Sequence, residues 1–484
     1  IGSGNQLGTG SLTISNGSNL NATVSLTHAN PLIIEDALLT GVGFISQNGD
    51  VMGTGPLRIN GGGIAFNSTT NSYAGEITLS EGIFLLQSAG AQGTLRLQSG
   101  GEFIAGASLT ALDWNIALQD SGNISVSGTN TFEITGQLTG DNLRKSGAGT
   151  LILSNPSNEY ALTEILAGTV SVGAPNHLGQ DLEISDGTLV TTASFTYNDT
   201  LRINGNNNIG DVAIIDVGDN ALTQAGRVDG AGSLRKIGRG ALRFSGSSNT
   251  HTGDIIIQEG AISVGGLGDT GTITLEDGTD FLPLGSFTTS NRDFVLSGVT
   301  GLRVNGADTF VIQGAITGGG RFIKFGTGTL VLTNPANNYA ATTTVQGTLS
   351  INDGAQLGQG TLQVNNRSTI LVTADIERDA VLNSRDGIIH VQEGVLFTQS
   401  GLFAGIGPLE KQGDGSLFVS GTSNTYDGSI NVTGGILGIG SLPSGGAIFL
   451  QEGTTLQTLR SFTISDRGIV LNGNANLLVD GGDA

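Results

Sequence analysis

The sequence contains no cysteine, and only one tryptophan and eight prolines occur among its 484 residues. The absence of cysteine excludes a disulfide framework, a thiolate metal site and a cysteine nucleophile. Aromatic residues make up only 5% of the chain. A fold that depends on regularly placed aromatic side chains is therefore disfavoured.

Basic residues are scarce, since 20 Lys and Arg stand against 41 Asp and Glu, for a formal net charge of −21. A chain this acidic repels a phosphate backbone, which excludes nucleic acid as a principal ligand. No apolar run approaches the roughly 18 residues of a membrane span, and the chain does not open on a basic stretch followed by an apolar one. We therefore expect neither a transmembrane helix nor a signal peptide in this segment.

Glycine, in contrast, is abundant, with 80 residues. Each glycine inside a helix costs about 1 kcal/mol relative to alanine, so a helical protein is disfavoured. Short runs of Val, Ile and Leu recur along the chain, separated by clusters of Gly, Asn, Asp and Ser. This pattern predicts an all-β chain with a buried core and many turns.

The chain repeats itself. Four segments carry a lysine that is followed 15 residues later by an equivalent position, and a weaker copy has Ile59 in place of the lysine and ends at Tyr73. The four pairs are Lys145 and Tyr160, Lys236 and His251, Lys324 and Tyr339, and Lys411 and Tyr426. From Tyr73 onward the last position recurs in steps of 87, 91, 88 and 87 residues.

These steps divide the chain into copies at about 1–52 (partial), 53–139, 140–229, 230–317, 318–404 and 405–484 (partial). Both ends fall inside a copy, so we expect one continuous array that is cut from a longer one.

A finer period lies within each copy. Gly149, Gly168 and Gly187 each precede a short apolar stretch and lie 19 residues apart. Strands are predicted at 150–153, 169–172 and 182–184, too short to form stable hairpins alone. A spacing near 20 residues is typical of one circuit of a right-handed parallel β-helix, so an 88-residue copy corresponds to about four coils and the whole chain to about 22 to 24. A β-propeller and stacked β-sandwiches are the alternatives.

The repeated pattern Gly-x-Leu-x-Lys-x-Gly-x-Gly-x-Leu-x-Leu, followed by Asn-x-Tyr, resembles the autotransporter-associated β-strand repeat. This repeat occurs in the passenger domains of type V secreted surface proteins of Gram-negative bacteria. The resemblance is clear at 145–172, 236–264, 324–351 and 411–439 and weaker at 53–86, with His251 and Ile59 as the departures. It implies a β-helix at the cell surface or secreted from the cell, and it implies no catalytic residue.

Residues suited to catalysis are few. His251 occupies a tyrosine position, His177 corresponds to Gln356 in another copy, and His28 and His390 stand alone without zinc-ligand spacing. The densest acidic stretch holds Asp211, Asp216 and Asp219, close in sequence to Arg227, Arg235 and Lys236. Asp211 and Asp216 are five residues apart and face opposite sides of a strand, so we expect solvated turns there, as at Glu35 and Asp36.

The repeated lysines suggest a ligand-binding row, because equivalent positions of a solenoid can align. At four coils per copy, however, neighbouring lysines lie about 19 Å apart, which is too far for one site. We expect Lys145, Lys236, Lys324 and Lys411 to have a structural role at turns. Likewise, we expect Tyr73, Tyr160, His251, Tyr339 and Tyr426 to cap a layer of internal aromatic residues.

We expect no cofactor; calcium at Asp-rich turns stays open, although no Gly-Gly-x-Gly-x-Asp array supports it. The leading hypothesis is an elongated, non-enzymatic surface or extracellular protein that adheres or scaffolds. A self-assembling subunit of a filament or surface layer is the second hypothesis, and a β-helix that binds or cleaves polysaccharide is the third. Partners are then second copies of the chain, or glycans or proteins of neighbouring or host cells.

Overall fold

The computed structural model describes residues 9–88, 93–204, 212–289, 291–344, 346–461 and 466–479. The chain divides into two compact units, Ile1–His251 and Thr252–Ala484. Both are built from short β-strands, and the described part also holds two 3-10 helices, Pro175–His177 and Gly354–Leu357.

The strands of the first unit are β1 (Leu12–Ile14), β2 (Ser18–Ala22), β3 (Leu26–His28), β4 (Leu32–Ile34), β5 (Ala37–Gly41), β6 (Phe44–Gln47), β7 (Val51–Met52), β8 (Leu57–Phe66), β9 (Glu76–Leu86), β10 (Thr94–Leu97), β11 (Gly101–Ala105), β12 (Leu109–Leu112), β13 (Asn115–Val126), β14 (Thr131–Ile134), β15 (Leu138–Ser146), β16 (Thr150–Leu153), β17 (Glu159–Ile165), β18 (Thr169–Val172), β19 (Asp181–Ile184), β20 (Thr188–Thr191), β21 (Phe195–Tyr197), β22 (Leu201–Ile203), β23 (Ala213–Asp216), β24 (Ala221–Gln224), β25 (Val228–Asp229), β26 (Leu234–Ile237) and β27 (Ala241–Phe244).

The strands of the second unit are β28 (Ile255–Ile257), β29 (Ala261–Val264), β30 (Thr272–Leu275), β31 (Asp280–Pro283), β32 (Phe287–Thr289), β33 (Asp293–Leu296), β34 (Val299–Arg303), β35 (Thr309–Ile312), β36 (Ile316–Thr317), β37 (Arg321–Phe325), β38 (Thr329–Leu332), β39 (Ala341–Thr344), β40 (Thr348–Ile351), β41 (Leu362–Asn365), β42 (Thr369–Val372), β43 (Ile376–Arg378), β44 (Leu382–Arg385), β45 (Gly387–Val391), β46 (Leu396–Gln399), β47 (Phe403–Ala404), β48 (Leu409–Gln412), β49 (Ser416–Val419), β50 (Ile430–Val432), β51 (Ile436–Ile439), β52 (Ile448–Gln451), β53 (Thr455–Thr458), β54 (Ile469–Asn472) and β55 (Asn476–Val479).

The strands pair in parallel, each with the strand one turn further along the chain. Thr150 of β16 pairs with Thr169 of β18, and Thr169 pairs with Thr188 of β20, in unbroken register. These steps are the 19-residue period of the sequence. The predicted parallel β-helix is confirmed as a β-solenoid, with about 22 turns in the described parts of the two units.

In part of each unit, successive strands belong in turn to three sheets, always in the same order. In the first unit, β22, β23 and β24 lie in three different sheets, and β25, β26 and β27 then return to the same three sheets in the same order. In the second unit, the sheet order β32-β35-β38-β40-β42-β45-β48-β50-β52-β54 again links strands one turn apart. A turn in these regions therefore has three faces.

The core follows from alternation along each strand. Most strands show every second side chain buried, as in the pattern of β16, because successive residues of a strand point to opposite faces. Stacked turns align these buried side chains, and the rings of Phe66, Phe84, Phe103 and Phe132 form a chain of contacts with centroids 5.0 to 5.5 Å apart. Few aromatic residues therefore suffice, since each contacts its equivalent in the next turn.

One repeat is longer than the four turns predicted. In the first unit, Lys145 pairs in register with Ile165, Ile165 with Ile184, and Ile184 with Ile203. The fourth turn ends at β25, but Lys236 lies on β26, the following strand, in another sheet. The repeat therefore spans four turns plus one strand.

The second unit repeats this geometry. Lys324 pairs with Thr344, Thr344 with Val364, and Val364 with Ser384, and the fourth turn ends at β47. Lys411 lies on β48, again in another sheet. Within each unit the two lysines thus lie in different sheets, so they form no row along one face, and the expectation that equivalent lysines align on the solenoid is wrong.

Candidate functional site

Each repeated lysine is the next-to-last residue of its strand, and its side chain is buried. Lys145, Lys236, Lys324 and Lys411 are all 0% exposed. Their strands β15, β26, β37 and β48 end one residue later. The carbonyl groups just beyond such a strand end lose their ladder partners and need another donor.

The lysine ammonium supplies that donor. Lys145 Nζ donates to the carbonyls of Ser146 at 2.7 Å and Gly147 at 2.8 Å, and to that of Ala167, one turn on, at 3.0 Å. Lys324 and Lys411 make the same three contacts at 2.7 to 3.2 Å. Lys236 donates to the first two of the equivalent carbonyls, those of Ile237 at 3.3 Å and of Gly238.

The glycine two residues after each lysine adopts a positive φ, for example 71° at Gly147 and 76° at Gly326. A side chain in this region is strained, and the turn directs the glycine carbonyl at Nζ. The Lys-x-Gly element of the sequence is therefore one structural unit.

Burial lowers the pKa of Lys145, Lys324 and Lys411 to about 8, because removal from water disfavours the charged ammonium.

Ile59, the departure at the lysine position, is explained by its strand. Its side chain is 0% exposed. Strand β8 does not end there but continues to Phe66 alongside β9. After a break in register that follows Ile59, the strand resumes its pairing with β9 at Gly63, and an apolar side chain occupies the lysine position.

The Tyr position is built in two ways. In the first, the ring reaches back to a glycine of the preceding turn: the hydroxyl of Tyr73 donates to the Gly55 carbonyl at 2.7 Å, and that of Tyr426 to the Gly407 carbonyl at 2.7 Å. His251 Nε2 contacts the equivalent carbonyl, that of Gly232, at 2.9 Å. Histidine thus replaces tyrosine here because its ring nitrogen reaches the same acceptor.

In the second arrangement, the hydroxyl contacts the following turn and a nearby threonine. Tyr160 Oη lies 2.8 Å from Thr163 Oγ1 and 3.3 Å from the His177 carbonyl. Tyr339 Oη likewise lies 2.8 Å from Thr342 Oγ1 and 3.2 Å from the Gln356 carbonyl. In both copies the next turn holds one of the two 3-10 helices.

Several of these rings contact a phenylalanine in the core. The ring centroids of Tyr426 and Phe403 are 4.4 Å apart and those of Tyr339 and Phe322 are 5.1 Å apart, while Tyr73 meets Phe66 edge to face at 6.2 Å.

An asparagine two residues before each Tyr position carries a role that sequence reasoning missed. Its side-chain carbonyl accepts a backbone N–H of the preceding turn, as Asn337 Oδ1 does from Ile316 N at 2.8 Å, while its amide donates to a carbonyl, here that of Gln356. The five residues are Asn71, Asn158, Asn249, Asn337 and Asn424. Each asparagine side chain replaces a backbone hydrogen bond at the point where the chain leaves the sheet. Its constant position two residues before the Tyr position is the sequence feature that could have indicated this role.

Buried arginines were also missed. Arg467 donates to the carbonyls of Tyr426 and Gly428, each at 2.8 Å, and Arg292 donates to that of Gly253 at 3.1 Å. Each follows its Tyr position, Tyr426 or His251, by 41 residues, a spacing visible in the sequence. Burial lowers the pKa of Arg292 to about 10.

The histidines are dispersed. His28 is buried, with Nδ1 2.7 Å from Gln47 Oε1, and His177 Nδ1 accepts from Gly173 N at 3.3 Å. The corresponding Gln356 accepts from Asn352 N in the same manner at 2.9 Å, as expected for equivalent positions. His390 lies in β45 with its side chain half-buried.

The acidic candidates lie at the surface. Asp216 accepts from Gly218 N at 2.8 Å, while Asp36 pairs with Arg58 at 2.7 Å. Asp211 lies outside the described residues. Across the described ranges, no group of three or more His, Asp or Glu side chains comes together in a way that could hold a metal ion. Nor does any helix in those ranges have the length and apolar character needed to cross a membrane.

Comparison with known proteins matches this repeat to one family. The model of the passenger-associated-transport-repeat matches residues 143–172, 234–264, 322–351 and 409–439, which contain the four lysines and their turns.

A curated relative covers most of the chain. The chain is 29% identical over 442 residues to the adhesin BmaC autotransporter of Brucella suis biovar 1 (strain 1330). The match includes 80% of this chain but only 13% of that protein. No solved structure matches the chain. The homology indicates a cell-surface or secreted protein of a Gram-negative bacterium, and the resemblance to autotransporter passenger repeats that the sequence shows is confirmed.

Proposed function

We propose that this chain is an adhesive, non-enzymatic part of a bacterial surface protein. The observation that carries the proposal is that the polar side chains of the repeat face inward. The four lysines, 0% exposed, donate to backbone carbonyls of their own and adjacent turns. The repeat therefore builds a scaffold, and partners are bound by the outer surface.

The repeat positions are proposed as structural sites only. Lys145, Lys236, Lys324 and Lys411 would close strand ends, and Tyr73, Tyr160, His251, Tyr339 and Tyr426 would tie one turn to the next. The distances given above support this role, since each polar atom has an acceptor inside the protein.

The relative's name supports the adhesive part of the proposal, although it describes a protein of which this chain matches 13%. The partners we propose are glycans or proteins of an opposing surface, or second copies of the chain. The net charge of −21 keeps such a scaffold soluble while limiting non-specific association with acidic surfaces.

The test is adhesion by the chain itself. Beads coated with the purified chain are expected to adhere to cultured host cells or to bacteria more than beads coated with an unrelated protein of similar negative charge. Equal adhesion by both kinds of bead overturns the adhesive function.

The non-enzymatic part is tested separately. Incubation of the chain with neutral and acidic polysaccharides, with and without calcium, is expected to release no new reducing ends. Release that grows with protein concentration overturns this part of the proposal.

A further inference from the structure

A polar groove runs across successive turns of the first unit, outside the core. Two adjoining cavities, of about 290 and 380 Å³, share Glu159, Tyr160 and Gln180 in their linings. We call them together the axial groove. It lies beside Tyr160, and the repeat contacts described above do not account for it. We call the bend of the chain at each Tyr position a corner and name it by that residue, here the Tyr160 corner.

The residues that line the axial groove lie on consecutive turns of the solenoid. Thr139 pairs in register with Glu159, and Gln180 N donates to the Tyr160 carbonyl at 3.0 Å. The hydroxyl of Tyr197 in turn donates to the Gln180 carbonyl at 2.9 Å, which places Asn198 and Asp199 one turn further on. The three steps between these four turns, at the strand spacing of about 4.8 Å, give a length of about 14 Å. The groove therefore suits an extended ligand lying along the solenoid axis.

The floor of the axial groove is apolar. Pro175, Leu178 and Gly179 line it; Leu178 and Tyr160 are each only 3% exposed, and Gly179 packs directly on the Tyr160 ring, since a Cβ at Gly179 would lie 2.9 Å from that ring. Ligand sites commonly combine such an apolar lining with a few polar groups that fix the orientation of the ligand.

The rim carries planar polar groups. Glu159, Gln180, Asn198 and Asp199 are exposed at its edge, and the hydrogen bonds within the described part of the chain use none of these side chains. Amide and carboxylate groups exchange hydrogen bonds with hydroxyl groups of a ligand.

The charge of the axial groove selects among such ligands. Neither cavity is lined by lysine or arginine, whereas Glu159 and Asp199 both line the groove. Partial removal of its carboxylate from water, together with the nearby Asp181 carboxylate, raises the pKa of Asp199. Anionic chains such as uronic acid polymers are repelled, and uncharged hydroxyl-rich chains are not.

We propose that the axial groove binds an uncharged oligosaccharide laid along the axis of the first unit. The proposal rests on the adhesive function proposed above, for which it names a ligand class. The Tyr339 corner of the second unit supplies a matched control, since Gln359 there corresponds to Gln180 while Asn338 and Ala380 replace Glu159 and Asp199.

The experiment probes the full chain on an array of uncharged and acidic oligosaccharides. Binding to one or more uncharged oligosaccharides is expected, and a Gln180→Ala, Asn198→Ala double variant is expected to weaken that binding about tenfold, through the loss of two hydrogen-bonding groups. Gln359→Ala should bind as the unaltered chain does. Circular dichroism checks that both variants stay folded, which the exposure of all three side chains favours.

Absence of binding to every uncharged oligosaccharide overturns the proposal, as does binding that the double variant leaves unchanged or binding only to acidic chains. The bead assay separates this outcome from failure of the adhesive function. Beads that adhere while the array stays blank reject the groove and keep the function. Beads that fail to adhere while the array shows the expected binding reject the function and keep the groove.

Discussion

The Tyr160 corner and the Tyr426 corner begin with the same Asn-x-Tyr sequence but are built differently. Tyr160 bonds forward, to Thr163 and to a carbonyl of the next turn, where a 3-10 helix lies. The Tyr426 hydroxyl donates backward, to the Gly407 carbonyl of the preceding turn. The backbone carbonyl of Tyr426 accepts a hydrogen bond from the buried Arg467. The same motif therefore occurs in two kinds of corner, and residues outside the motif determine which kind forms.

The two kinds alternate along the chain. Tyr339 resembles Tyr160, from which it is separated by 179 residues, and Tyr426 resembles His251, 175 residues before it. The sequence therefore repeats about every 88 residues, whereas the corner structure repeats over about twice that length. Alternation lets the same solenoid carry different outer surfaces at corresponding corners, such as the axial groove beside Tyr160.

The largest effect is expected at the Tyr426 corner. Tyr426→Ala removes a buried ring that stacks on Phe403 at 4.4 Å and leaves the Gly407 carbonyl without its donor, so local stability should fall by about 4 kcal/mol. Hydrogen exchange of the surrounding amides measures this, because long repeat arrays open locally. Tyr426→Phe keeps the ring and should cost about a third as much; equal losses for the two variants would contradict the packing described.

Arg467→Met tests whether the two corners are independent. The carbonyls of Tyr426 and Gly428 lose their donor, so this corner should open more easily by about 2 kcal/mol. Amides of the Tyr339 corner should exchange at an unchanged rate, since its tyrosine bonds to Thr342 instead. Faster hydrogen exchange at both corners would show that the stabilities of the two corners are coupled and not independent.

The lysine contacts are common to both kinds of corner. Lys324→Met removes three donors to backbone carbonyls and should lower local stability by about 1 to 2 kcal/mol at neutral pH, as measured by hydrogen exchange.

The same lysine gives a pH dependence with a definite sign. Burial lowers its pKa from 10.5 to about 8, so between these values the unfolded chain binds more protons than the folded chain. The contribution of Lys324 to stability should therefore rise as the pH increases from about 8 to 10.5. The stability difference between the unaltered chain and Lys324→Met should grow in this window; a constant or shrinking difference refutes the burial effect.

The smallest effect is expected for His251→Tyr, which makes the exceptional corner match its neighbours. A tyrosine hydroxyl can reach the Gly232 carbonyl as that of Tyr426 reaches Gly407, so stability should change by less than about 1 kcal/mol. His251→Phe, which offers no donor, serves as the contrast and should destabilise the corner more. Hydrogen exchange near Gly232 compares the two, and a larger loss for Tyr than for Phe would reject the equivalence.

Much of the fold follows from sequence periods. The 19-residue spacing of Gly149, Gly168 and Gly187 predicts the register of Thr150, Thr169 and Thr188, because stacked parallel strands repeat once per turn. The repeat length alone does not reveal the extra strand that moves Lys236 and Lys411 to a new sheet. That shift depends on how many residues each corner uses, which the average period conceals.

The candidate site was predictable in part. The positions of the lysines and tyrosines are visible as a repeat, whereas their carbonyl acceptors are backbone atoms that carry no sequence signature. The arginine that follows His251 and Tyr426 by 41 residues was detectable, whereas the buried Arg378 follows Tyr339 by 39 residues and donates to other carbonyls, those of Gly358 and Gly360. The axial groove has no sequence pattern, because it brings Glu159, Gln180 and Asn198 together from successive turns.

We propose that the repeat motif builds the scaffold and that the outer surface binds the partners. The most direct test compares adhesion and stability of the Lys324→Met variant at a temperature where it stays folded. Faster hydrogen exchange around residue 324 with unchanged bead adhesion is expected. Lost adhesion with unchanged exchange would contradict the proposal and would make the lysine a ligand-binding residue.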